Sequence, residues 1–263
     1  METVEVLPQV TQLSSLANRR QNLFLFLTGF FLANALIAEV IGSKIFSLEQ
    51  WLGWAPTQLT VLGLGPYDFN LTCGVLLWPF VFITTDIINE YFGPAGVRKV
   101  SFLAAGLIVY MFCVIWLVTR TPPAAFWLEL NNKTPEGAPF NIDYAFQQVF
   151  RQGLGIMVGS IVAFLIGQLI DAAVFAAVRR RTGERYIWLR ATGSTVVSQA
   201  IDSFVVLFVA FNLFGNWSMQ QVIAVGVVNY IYKLLVAIGL TPLIYVAHSA
   251  IDRFLGKKAI PIL

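Results

Sequence analysis

The chain has 263 residues, 57% of them hydrophobic and only 12% charged, with a formal net charge of +3 and a mean hydropathy of +0.74. Soluble domains carry roughly 45–50% apolar and 25% charged residues, so this composition excludes an ordinary soluble fold, and the scarcity of charge excludes a disordered chain. Cys73 and Cys113, both inside apolar runs, exclude a disulfide scaffold, which leaves an integral membrane protein.

A helix rises about 1.5 Å per residue, so crossing a hydrocarbon core of about 30 Å takes roughly 20 mostly apolar residues. After a short N-terminal segment, residues 1–21, six runs meet that requirement: Leu23–Phe46, Phe69–Tyr91, Val100–Thr119, Leu154–Val178, Thr192–Phe214 and Val222–Val246. Long continuous runs favour helices over a barrel, whose strands would alternate over about 10 residues. The first run lacks a cleavage pattern and reads as a permanent span. The expectation is an all-α integral membrane protein, one six-transmembrane-helix bundle over residues 1–263.

Between the spans the cations are sorted. Arg19 and Arg20 precede the first, Arg98 and Lys99 join the second to the third, and Arg179, Arg180, Arg181, Arg185 and Arg190 join the fourth to the fifth. Arg253, Lys257 and Lys258 end the chain. The connections Leu48–Asp68 and Gly215–Gln221 hold no Lys or Arg, and the loop 120–152 balances Arg120, Lys133 and Arg151 with Glu129, Glu136 and Asp143. The positive-inside rule then puts both termini in the cytoplasm. Because the cations are spread over four segments, the net charge speaks of topology and no nucleic-acid partner is expected. The outer loop 120–152 sets Pro122, Pro123, Pro135 and Pro139 beside Phe126 and Trp127. It reads as a connector with interfacial aromatics or as a cover over an outer entrance.

An ionisable side chain at a helix centre in lipid costs at least ~2.5–3.5 kcal/mol, so each one calls for a reason. The first span carries Asn34, Glu39 and Lys44; the second Asp86, Asn89 and Glu90; the fourth Gln168 and Asp171; the fifth Gln199 and Asp202; the sixth Asn229 and Lys233. Residues three or four apart share a helix face, which groups these side chains in pairs. Counting inward from each end puts Gln199, Asp202, Asn229 and Lys233 near mid-membrane and Gln168 and Asp171 slightly to the cytoplasmic side. Glu39 and Lys44 fall toward the outer face, and Asp86 and Glu90 near the cytoplasmic rim.

Two lysines cannot neutralise all these carboxylates, so some acid is expected to be protonated or to await a donor-rich ligand. Structural roles compete: Lys233 with Asp202 as an internal strut, Glu39 and Lys44 as snorkelling groups, Asp86, Asn89 and Glu90 as braces of the Gly93-Pro94 turn. Ile166–Phe175 and Val197–Val206 both contain Gln-x-x-Asp and lie on successive, oppositely directed helices. Their polar faces are therefore able to meet about a pseudo-twofold axis, through duplication or through convergence on one ligand.

A carboxylate accepts two parallel hydrogen bonds from adjacent N–H groups, and a carboxamide both donates and accepts. Together they suit a guanine-like edge, with Phe80, Phe82, Phe164, Phe204 and Tyr230 as candidate stacking partners. Chemistry alone stops at a planar, donor-rich, neutral or cationic solute. Over Trp78–Gly93, Gly-Gln-Leu-Ile-Asp ending at Asp171, Ser-Gln-Ala-Ile-Asp-Ser ending at Ser203 and Asn-Tyr-Ile-Tyr-Lys ending at Lys233, the chain resembles the queuosine precursor transporter family, also labelled vitamin-uptake-transporter-like. Asn34–Lys44 resembles that family's first helix.

The resemblance implies a multi-pass carrier of the bacterial inner membrane. It would import 7-cyano-7-deazaguanine (preQ0) and 7-aminomethyl-7-deazaguanine (preQ1) for tRNA queuosine synthesis. On this reading Gln168, Asp171, Gln199 and Asp202 hold the base edge, Asn229 and Lys233 set the charge state of the pocket, and Asn34, Glu39 and Asp86 are second-rank candidates. No cofactor or metal ion is expected. A substrate-capture subunit of a multi-component (ECF-type) vitamin uptake system is the alternative, since Ala172, Ala173, Ala176 and Ala177 let another helix approach closely; a homodimer is also allowed. An enzyme is not expected, because the chain has no His-Glu-x-x-His, Gly-x-Ser-x-Gly or Walker A loop.

Overall fold

The computed structural model describes the backbone of residues 6–256 except 43, 62, 152–153, 184–186 and 214–215. Gln152, Arg185, Phe214, Gly215, Lys257 and Lys258, which entered the sequence reading, lie outside the described residues, as does the side chain of Arg190. The elements in chain order begin with α1 (Val6–Ile41), β1 (Ile45–Ser47), α2 (Leu48–Leu52), β2 (Leu59–Val61), β3 (Leu64–Tyr67) and β4 (Asn70–Thr72). A 3-10 turn (Cys73–Leu76) leads into α3 (Trp78–Val118), α4 (Ala125–Leu130), α5 (Ile142–Arg151) and α6 (Leu154–Thr182). The chain continues as α7 (Ile187–Leu207), a π-helical turn (Phe208–Leu213), α8 (Met219–Gly239) and α9 (Thr241–Leu255).

Among the described residues, five helices are long and apolar enough to cross a membrane: Leu16–Ile41, Trp78–Val118, Gly159–Thr182, Val196–Leu213 and Met219–Gly239. The expected second and third spans form the single element α3, 41 residues long, interrupted at Gly93. Gly93 has φ 71° and ψ −179°, a conformation that glycine adopts without a Cβ clash, and Pro94 has no N–H to continue the ladder. The element is thus two limbs, Trp78–Phe92 and Pro94–Val118. Val97, Val100 and Ala104 of the second limb join Leu23, Leu27 and Phe31 of α1 in the main core, and the Phe24 and Phe92 rings lie 4.9 Å apart.

Three boundaries differ from the expectation. The first span ends at Ile41, so Lys44 lies outside the helix and is exposed. Residues 69–77 enter β4 and the 3-10 turn rather than a span. The sixth run, Val222–Val246, is divided between α8 and α9, because Pro242 at the start of α9 lacks the N–H that a continuous helix would use.

Arginines collect several helix ends at one end of the molecule. Arg20 Nη2 donates to Tyr91 O at 2.8 Å, Arg19 Nη1 to Phe254 O at 3.2 Å, and Arg179 Nη1 to Glu90 O at 2.8 Å. Arg179 also pairs with the Glu90 carboxylate at 3.4 Å. The Arg19–Arg20 turn of α1, the Gly93 bend, the end of α6 and the end of α9 therefore lie together.

The connection from α1 to α3, expected to be a plain loop, is a small cap with two two-stranded antiparallel sheets, β1–β4 and β2–β3. Strand pairing satisfies the backbone groups of a segment too short and too polar to form a further span. Its centre is the buried Glu49, whose carboxylate accepts from Phe69 N at 2.7 Å, Thr57 Oγ1 at 2.9 Å and Ser47 Oγ at 3.2 Å. Burial by itself would raise the pKa of this group, but the Phe69 N–H, its own backbone N–H and the Thr57 and Ser47 hydroxyls hold it below the ordinary glutamate value of 4.5. A carboxylate with a lowered folded-state value stabilises the fold fully above 4.5, and that contribution disappears as the pH falls through the lowered value. Proteolysis of the detergent-solubilised protein is expected to spare residues 44–72 at neutral pH and to cut them only below the ordinary glutamate range. Glu49→Gln should remove that pH dependence and cost about 1–3 kcal/mol at neutral pH.

The loop 120–152 contains α4 and the amphipathic α5, joined through aromatic contacts of Trp127 with Phe146 (6.5 Å) and Phe146 with Phe150 (4.6 Å). It is thus partly helical, packing aromatic faces that would otherwise meet water.

Candidate functional site

On the first limb of α3, Trp78, Phe82 and Asp86 follow one another at steps of four residues and so occupy one face. That face forms one wall of a cleft completed by Gln199 of α7 and by Tyr232 and Lys233 of α8, over an apolar floor of Val75, Ile83, Val236, Leu240 and Ile244. The cleft encloses about 520 Å³ of free space, its open mouth included. The mix of aromatic walls with a few convergent polar groups is what small-molecule pockets have in common.

The polar atoms of the cleft are unevenly satisfied. Lys233 Nζ donates to Asp202 Oδ2 at 2.5 Å, an ion pair with both side chains about four-fifths buried. Asp86 is buried, and its Oδ1 has no hydrogen-bond partner among the described residues; the same is true of Nε2 of the buried Gln199. An acceptor and a donor are therefore both left unpaired on residues that line one cavity, in a region without bulk water, where each unpaired group costs on the order of 1–3 kcal/mol.

Behind this wall the two Gln-x-x-Asp segments meet reciprocally. Ser198 Oγ donates to Asp171 Oδ1 at 3.0 Å. In the mirror contact Gly167 packs on Asp202, where an added Cβ would lie 3.6 Å from Asp202 Cβ. The residue preceding each glutamine thus faces the aspartate of the other segment, and Nε2 of Gln168, like that of Gln199, lacks a partner among the described residues. Thr85 Oγ1 donates to Gln168 Oε1 at 2.9 Å and Asn89 Nδ2 to Ala172 O at 3.1 Å, which fixes α3 against α6.

Of the residues singled out from sequence, Asp86, Gln199 and Lys233 line the cleft. Asp202 is joined to it through Lys233, and Gln168 and Asp171 are buried one layer behind. Asn229 is half-buried one turn before Lys233 and lies off the lining. Asn34 Nδ2 returns to its own helix at Phe30 O (2.8 Å), and Glu39 Oε1 accepts from Ser160 Oγ (2.6 Å); neither reaches the cleft.

Of the two expected readings of Asp86, a brace at the cytoplasmic rim and a second-rank binding candidate, its place on the Trp78–Phe82 face that lines the cavity favours the second. Bracing falls instead to Asn89 and Glu90, which reach α6. Among the proposed aromatics only Phe82 lines the cleft, while Phe204 lies against Gly226, where an added Cβ would come within 2.6 Å of the ring, and Tyr230 donates to Val196 O at 3.2 Å. Trp78 and Tyr232 were missed, although the four-residue spacing of Trp78, Phe82 and Asp86 carried the signal for the first.

Comparison with known proteins agrees with this architecture. The chain is 27% identical over 239 residues to a Bacillus subtilis protein named "Probable queuosine precursor transporter", a match covering 87% of this chain and 98% of that protein. It is 28% identical over 182 residues to the Escherichia coli "Queuosine precursor transporter", covering 69% and 72% of the two chains. A Haemophilus influenzae protein, "Probable queuosine precursor transporter", matches at 27% over 186 residues, 69% of this chain and 70% of its own. No solved structure matches significantly. Residues 72–247, which include the cleft and both Gln-x-x-Asp segments, match the family model described as "Putative vitamin uptake transporter", and the chain belongs to that family of multi-pass membrane transporters.

Proposed function

We propose that the chain is a carrier that imports queuosine precursors of the 7-deazaguanine class, preQ0 and preQ1, and that it binds them in the cleft between α3, α7 and α8. The observation that carries this reading is that two residues lining the same cleft each keep a buried polar atom without a hydrogen-bond partner among the described residues, Asp86 Oδ1 and Gln199 Nε2. A guanine-type edge presents ring N–H and exocyclic amine donors beside a carbonyl acceptor. Asp86 accepts the donors, Gln199 donates to the carbonyl, and the ring lies between Trp78, Phe82 and Tyr232. Lys233, held by Asp202, supplies the local positive charge, while Gln168, Asp171 and Asn229 position these groups from behind.

The topology proposed with this function counts the two limbs of α3 separately, which makes six spans. The arginine-rich end, where the apolar span of α1 starts and α9 finishes, then faces the cytoplasm, with the membrane being the bacterial inner membrane. Alternating exposure of a site deep in the bundle moves the solute inward. A counterflow assay tests the reading: purified protein in liposomes preloaded with unlabelled preQ0 is expected to take up labelled preQ0, and guanine at equal concentration should compete weakly. Absence of counterflow by the lone chain would overturn the carrier reading.

A further inference from the structure

The layer behind the cleft contains a second feature that base recognition does not need. Thr85 bonds Gln168 and Asn89 bonds Ala172, so the residues flanking Asp86 on α3 are tied to those flanking Asp171 on α6. This clamps the two carboxyl groups against each other, within hydrogen-bonding reach, with both side chains at least 98% buried. Two bare negative charges in contact inside a bundle repel strongly. The charged groups packed around Asp86 offer no relief: Glu90 on its own helix is negative and engaged by Arg179 of α6, and Lys233 of α8 is engaged by Asp202 of α7. Asp86 itself forms no ion pair among the described residues. Independent of the carboxyls, the buried Asn89 Oδ1 and Gln168 Nε2 flank the pair without hydrogen-bond partners among the described residues, and Gln199 Nε2 is open in the adjoining cleft.

We infer that Asp86 and Asp171 form a cation site that holds one shared proton, and that this proton travels inward with the solute. The oxygen set favours a proton over sodium: a proton needs only the two facing carboxyl oxygens, whereas sodium needs several more, and of the flanking oxygens Thr85 Oγ1, Gln168 Oε1 and Ala172 O are engaged in helix contacts, which leaves Asn89 Oδ1. The coupling follows from the geometry, resting on the cleft being the deazaguanine site. A base in the cleft needs the Asp86 oxygens as acceptors, so the proton settles on Asp171, which is off the cleft wall and hydrogen-bonded to Ser198. If both carboxyls are bare, the pair repels itself; if both are protonated, Asp86 no longer accepts two donors. The loaded carrier therefore contains one proton per solute, and Asp171 is the residue that keeps it.

Two measurements test this. Infrared difference spectroscopy of the purified wild-type protein at neutral pH is expected to reveal a protonated-carboxyl band that shifts in heavy water and is absent in Asp171→Asn, where the amide replaces the shared proton as donor. Lack of the band in the wild type overturns the proton site whatever the solute is. In liposomes, an acid-outside gradient should drive accumulation of neutral preQ0 in the wild type, up to about tenfold per pH unit at one proton per solute. In Asp171→Asn gradient-driven accumulation should be lost outright, beyond any fall in counterflow that the residue's positioning role behind the cleft brings. Accumulation by Asp171→Asn, or accumulation driven by sodium instead of pH, overturns the inference. Missing counterflow in the wild type would count against the deazaguanine reading alone, leaving the infrared result to decide the proton site.

Discussion

Asp86→Asn is expected to reduce preQ0 uptake by about 100-fold or more while the protein still folds. The amide keeps the volume and polarity of the side chain but offers a single acceptor oxygen and presents donors where the base also presents donors. Charge-assisted hydrogen bonds contribute roughly 1.5–3 kcal/mol each, so losing two of them corresponds to about two to four powers of ten in affinity. The measurement is the initial rate of labelled preQ0 counterflow in liposomes, with size-exclusion profile and thermal stability in detergent as controls. Near-normal uptake would remove Asp86 from the binding wall. Because Gln199 supplies the matching donor, Gln199→Leu should weaken uptake less, by the loss of one neutral hydrogen bond.

The second large effect concerns the ion pair. Lys233→Met leaves the Asp202 carboxylate without its cation inside the bundle, and removal of one partner of a buried pair costs about 3–5 kcal/mol. The pair is partly exposed at the cleft, with side chains 17% and 19% accessible, which places the expected loss toward the lower end. Lys233→Met combined with Asp202→Leu removes both charges and should recover most of the thermal stability, since apolar replacement of a whole pair is often neutral. Uptake is expected to stay low in the double variant, because Lys233 also lines the cleft. Normal uptake by the double variant would make the pair a strut and nothing more.

Much of the architecture was legible from the chain. The apolar runs that became α1, α6, α7 and α8 were visible because the cost of inserting a polar residue into lipid is set residue by residue. The Gln-x-x-Asp similarity anticipated that α6 and α7 present related faces, and the reciprocal Ser198–Asp171 and Gly167–Asp202 contacts bear that juxtaposition out. The Gly93-Pro94 turn was anticipated as well; what escaped was the division at Pro242 and the strand-built cap around Glu49. Each depends on backbone conformations at single residues or on pairing between segments far apart in sequence, to which hydropathy is blind.

The site divides along the same line. Spacing alone determined which polar side chains share a helix face, and composition alone determined that they are buried in a membrane, because both follow from helix geometry and the solvent. Which faces meet was decided by tertiary structure. The rotation of α3 against α6, fixed by the Thr85–Gln168 and Asn89–Ala172 hydrogen bonds, turns Asp86 from an expected rim residue into a wall of the cleft and sets Asp171 behind it. Rotation about a helix axis leaves the hydropathy of every residue unchanged while it exchanges every partner, and so it is fixed only when the helices pack.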